Sequence, residues 1–179
     1  MGSSVMQDHR PLLCHFLAAL AYRTQKALRG APESFGTFRA ADGIRTPAEL
    51  LRHMSGVLGY ARTFFIGGQN RPEPLPSLQD EIIRFHELIS ELVQHIEADT
   101  PLREGMTAER LLQGPFTDAM THAGQLAMLR RFAGDPVAPE NFIFASIDPH
   151  QLGPDQPTPA CPDAVWPEAP AGWIPESED

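Results

Sequence analysis

The chain reads as all-α, a four-helix bundle followed by a proline-rich irregular segment. Three observations predict this. Four apolar stripes recur at helical spacing, each about five turns long. No alternating apolar–polar run between them has the period of a strand. Ten of the 18 prolines lie beyond Gly134, where regular structure should stop.

The first helix is expected from about Asp8 to about Leu28, with Leu12, Leu13, Phe16, Leu17 and Leu20 as its stripe and Gly30 as its stop. A loop through Pro32, Ser34 and Gly36 follows. The second helix has the best-marked start, because Thr46-Pro47-Ala48-Glu49 is a capping box with proline at the first helical position. Leu50, Leu51, Met54, Val57, Leu58, Ala61 and Phe65 mark its buried face, which ends near Gly67-Gly68. The segment R-P-E-P-L-P is then a stiff connector. Ser77 caps the third helix, whose apolar set is Ile82, Ile83, Phe85, Ile89, Leu92, Val93 and Ile96; Thr100-Pro101 closes it. A short helix is expected over residues 107–113. Gly114-Pro115 restarts the chain as the fourth long helix, and Gly134 ends that one. The connections are too long for simple hairpins throughout, so at least one crossover is expected. The domain division is therefore 1–134 for the bundle and 135–179 for an acidic segment packed in part on it.

Charge follows that division. Residues 1–133 carry 14 basic and 14 acidic side chains, whereas residues 134–179 carry nine acidic ones and no Lys or Arg. The whole net charge of −9 thus belongs to the last quarter. No basic stripe is available for phosphates, which argues against nucleic acid as a partner. No apolar run approaches bilayer length, and the opening M-G-S-S-V-M-Q-D-H-R has neither a secretory nor a myristoylation pattern. Two separated cysteines, Cys14 and Cys161, form neither a disulfide framework nor a zinc knuckle. A reduced, cytoplasmic protein is the expectation. The acidic segment also holds Trp166, Trp173, Phe142, Ile143 and Phe144, more apolar area than a wholly mobile tail carries, so its first part should pack on the bundle.

The chemistry-bearing pattern is sparse. Asp118 and His122 stand four apart in P-F-T-D-A-M-T-H-A-G-Q-L-A-M-L-R-R and so share a helix face. His53 lies at the margin of the second helix's apolar stripe. Singly, Asp118 reads as a first-turn carboxylate favoured by the helix dipole, and each histidine as a packed core residue. Together, two imidazoles and one carboxylate from two helices match an open metal site of the catalytic type. Gln125, one turn beyond His122, and Tyr60, two turns beyond His53, are candidates to orient a ligand. His86 reads as a packing residue first and a substitute ligand second. H-E-x-x-H, glycine-rich phosphate loops, G-x-S-x-G and C-x-x-C are all missing from the sequence.

The stretches R-T-P-A-E-L-L-R-H-M-S-G-V-L around His53 and T-D-A-M-T-H-A-G-Q-L-A-M-L-R-R around His122 resemble the DinB-like (DinB/YfiT-like) superfamily of metalloenzymes, and A-P-E-N-F resembles its C-terminal portion. That family has one histidine on the second helix and an H-x-x-x-H pair leading into a G-Q-containing helix. Those positions fall on His53, Asp118 and His122, with Asp in place of the pair's first His. The resemblance implies an up-down-down-up bundle, a homodimer, and a divalent metal such as zinc, nickel, iron or manganese. Some members of that family are thiol-dependent transferases or isomerases, and the expectation for this chain is a metal-dependent hydrolase or low-molecular-weight-thiol transferase acting on a small-molecule or thiol substrate. The competing expectation is a non-catalytic dimeric bundle with a degenerate site, in which Trp166 and Trp173 help form an interface.

Overall fold

The computed structural model describes residues 3–172, with side chains described from residue 9, so Trp173 lies outside the described residues. Four long helices form the bundle: α1 (Ser3–Leu28), α2 (Pro47–Ile66), α3 (Leu78–Glu97) and, after the single turn α4 (Ala108–Leu111), α5 (Thr117–Phe132). Short 3-10 turns occupy Glu33–Thr37 and Phe142–Phe144. Among the described residues the only β pairing is one isolated bridge between Glu140 and Pro162.

Both α1 and α2 pack between α3 and α5, which places α1 diagonally across from α2. End-to-end contacts set the directions. The Arg103 amide, just past α3, donates to the Phe64 carbonyl near the end of α2 at 2.8 Å, so α2 and α3 run the same way. Arg10 near the start of α1 faces Asp99 beyond the end of α3, so those two are antiparallel. Arg130 at the end of α5 donates to the carbonyls of Ala27 and Arg29 at the end of α1, so α1 and α5 are parallel. The order is up-down-down-up. It requires residues 67–77 to return along α2, where Asn70 donates to the Gly56 carbonyl at 3.1 Å and covers Gly59.

The core is the sum of the four stripes: Leu17, Leu20, Leu51, Met54, Leu58, Phe85, Ile89, Leu92, Ile96, Phe116 and Leu126 have no exposed surface. Two expected stripe members face out instead, Leu12 (60% exposed) and Ile83 (40%). Each precedes or follows a buried neighbour, Leu13 or Ile82, by one residue, and a step of about 100° turns it off the core face.

The segment after α5 is attached mainly by polar contacts to α1 and α3. Lys26 donates to the Ala138 carbonyl and Arg29 to that of Gln156. His86 on α3 bonds the Leu152 carbonyl at 2.7 Å. Arg23 lies 4.0 Å over the Phe142 ring. Glu140 and Trp166 are buried, whereas Ile143 and Phe144, expected to pack, are 80% and 66% exposed.

Candidate metal centre

The capping box at the start of α2 is present: Thr46 Oγ1 accepts from the Glu49 amide at 3.3 Å, and Glu49 Oε2 from the Thr46 amide at 2.8 Å. It satisfies two amides that the first turn would otherwise leave open. Two turns of helix then carry His53 to the groove facing α5. On the other side, Pro115 has no N–H and Gly114 adopts a non-helical φ/ψ of −94°/−106°, so the chain kinks between α4 and α5. The kink makes Asp118 a first-turn residue of α5. Buried Ala119 and Ala123 let α5 lie close to its neighbours. Gly124 is different: a Cβ there would meet nothing within 4 Å, so it serves no close approach.

This framework brings together the three residues singled out in the sequence. His53 Nε2 lies 3.6 Å from Asp118 Oδ2, and His122 Nε2 lies 3.5 Å from Asp118 Oδ1. The carboxylate straddles the two imidazoles, whose ring centres are 4.7 Å apart at 79°. One donor atom from each residue can be chosen so that all lie within 4.8 Å of one another. Both N···O separations exceed hydrogen-bond length. Each is near the donor–donor separation of about 3.4 Å expected around an ion with bonds of about 2.1 Å, although the two imidazoles face different oxygens of the carboxylate. The donor set, two neutral imidazoles and a carboxylate, suits a first-row divalent ion. The residues present fit such an ion.

The surroundings favour that donor state. Gln125 Oε1 accepts from His122 Nδ1–H at 2.7 Å, which leaves the lone pair on Nε2, the atom facing Asp118. Burial holds the His53 imidazole below its ordinary pKa, and the positive charge of Arg45 adds to this, followed by His122. Asp118 acts in the opposite sense. The side chains of His122, His53 and Asp118 are 11%, 33% and 46% exposed, so the cluster is reachable from solvent on its Asp118 side.

Three clefts border the cluster. One of 540 Å³ is lined by Asp118, Tyr60 and Thr121. A second, of 510 Å³, contains His53 with Arg39, Arg45 and Arg52. The third, of 760 Å³, runs from Gln125 past Leu50, Met128, Leu129 and Phe132. Arg39 and Arg45 had no sequence signal pointing to the site, because the loop that supplies them has no periodicity; Arg52 on α2 and Met128, Leu129 and Phe132 on α5 are brought to it by helix packing. Tyr60 is exposed and shares a cleft with Asp118; Gln125 contacts His122 directly. The remaining histidines stay apart. His86 is bonded to Leu152, His95 stacks on Phe65 with ring centres 5.6 Å apart, and His9 faces Glu109.

Comparison of the chain with family models, with curated proteins and with solved structures gave no match.

Proposed function

We propose that this chain is a DinB-like metal-dependent enzyme, a hydrolase or low-molecular-weight-thiol transferase, with a divalent ion held by His53, Asp118 and His122. The observation that carries the reading is the convergence of those three side chains from α2 and α5, with one donor atom from each lying within 4.8 Å of the others. The sequence likeness around His53 and His122 supports it. A bound divalent ion would polarise a substrate oxygen, or make a bound water or thiol a better nucleophile.

The protein's own residues supply the rest. His53 and Asp118 present donor atoms from opposite sides of the groove. His122 is held in its donor tautomer by Gln125. His53, Asp118 and His122 would hold the ion by three donors, and the clefts around the cluster would give a substrate access to it.

The test is metal content of the untagged chain after dialysis against zinc, nickel, iron(II) or manganese, beside His122→Ala. Close to one equivalent in the parent and none in the folded variant is the expected result. No retained metal from any of the four would overturn the reading.

A further inference from the structure

The arginine-lined cleft and the apolar cleft are two ends of one trough, since both are lined by Gly43, Ile44 and Arg45. His53 stands in the first and Gln125, the partner of His122, in the second. Their chemistry differs sharply. At the first end are three guanidinium groups and one carboxylate, Glu49. Arg39 is already occupied: it donates to the Ile44 carbonyl at 2.8 Å and lies 3.7 Å from Glu49. Glu49 is in turn tied to the Thr46 amide. Arg45 and Arg52 remain to face the cleft, and Asp42 lines neither end. This positive concentration sits on a chain of net charge −9.

The other end is apolar and open. Met128 is 54% exposed, Phe132 64% and Ile44 46%. Three large apolar side chains left in water around one cleft, next to a cationic cleft, form an amphipathic receptor and not a scatter of surface residues.

We propose that this trough binds an amphipathic carboxylate, with its acid group on Arg45 and Arg52 and its apolar body along Ile44, Met128, Leu129 and Phe132. The inference rests on the metal-enzyme reading only for its consequence, which is to name that enzyme's substrate class: a ligand lying across both ends passes His53 and Gln125. Guanidinium groups pair with carboxylates through two parallel N–H donors, which orients the head as well as attracting it.

Calorimetric titration of the full chain with decanoate is the test, with decyltrimethylammonium and acetate as probes that change the head or remove the body. Decanoate should bind, acetate should bind at least tenfold more weakly, and decyltrimethylammonium should not bind. The double variant Arg45→Gln, Arg52→Gln and the wall variant Phe132→Ser should each weaken decanoate at least tenfold without changing the far-ultraviolet spectrum. Chelator-treated parent chain should bind decanoate as the untreated chain does, so loss of metal and loss of this site are separate results. Equal binding of the two ten-carbon probes would overturn the proposal, as would decanoate binding that ignores the arginine variants. So would a dimer in light scattering that Phe132→Ser converts to monomer, since the wall would then be covered by a second copy.

Discussion

The Tyr22 hydroxyl donates to both oxygens of the Glu140 carboxylate, at 2.8 and 3.0 Å, across 118 residues of sequence. Both side chains are buried, and the pair joins α1 to the segment that follows α5. The same contact, together with burial, raises the Tyr22 pKa, because ionised tyrosine would face a carboxylate.

Tyr22→Phe keeps the ring and removes the hydroxyl that donates to that carboxylate. A buried acceptor left open costs about 2 kcal/mol when it is charged. Urea unfolding should register a loss of that size. A variant as stable as the parent would mean that the Glu140 contact contributes nothing to holding residues 135–172.

His86 makes stability depend on pH. Its ring is 2% exposed, Nδ1 is bonded to Leu152, and burial lowers its pKa from 6.5 to about 4. The unfolded chain therefore takes up a proton first as pH falls. The folded state keeps its full margin above pH 6.5 and loses it progressively toward pH 4, by about 3 kcal/mol in all from this one group. Comparing urea midpoints at about pH 7 and pH 5 for the parent and His86→Leu should show a shallower acid loss in the variant.

The α2 cap positions His53, so its loss should be felt in stability before chemistry. Thr46→Ala removes the side-chain acceptor for the Glu49 amide and should cost about 1 kcal/mol. Thermal unfolding would read this directly, and metal stoichiometry should be unaltered at a temperature where the variant is folded.

Gln125 orients a proposed ligand without being one. Gln125→Ala frees the His122 ring to rotate or change tautomer, and should weaken zinc about 10–100-fold with the stoichiometry kept. Competition with a chromophoric chelator gives the number. Unchanged affinity would remove Gln125 from the centre.

Asp118 is the departure from three imidazoles. Asp118→His should still retain zinc, since imidazole is a good ligand for it, whereas Asp118→Asn, which removes the anionic donor, should retain much less. Metal analysis after gel filtration separates the two. Equal retention by both would show that the carboxylate is a bystander.

The helices were legible where a local rule decides them. The box at Thr46 and Glu49 is written in four residues, and Gly30 and Gly134 adopt the positive φ, +64° and +76°, that helix stops favour. The three-residue cluster was legible because Asp118 and His122 are one turn apart and only His53 had to come from elsewhere. Leu12 was misplaced because spacing does not decide whether both of two adjacent leucines are covered: Leu50 and Leu51 are both buried, whereas beside buried Leu13 the Leu12 side chain is exposed. The route of residues 135–172 was not legible, since Lys26, Arg29 and His86 hold it by its carbonyls, and carbonyls carry no sequence. Arg45 was equally silent: a loop conformation brings it to Arg52 on α2.

The order of the helices has a consequence for assembly. Because α2 and α3 run together, everything up to Glu97 contributes a single member of the cluster, and both others arrive with α5. A chain opened between Glu97 and Thr107 would yield two pieces, neither holding all three donors. Mixed, they would make metal retention a gauge of whether the halves had found each other.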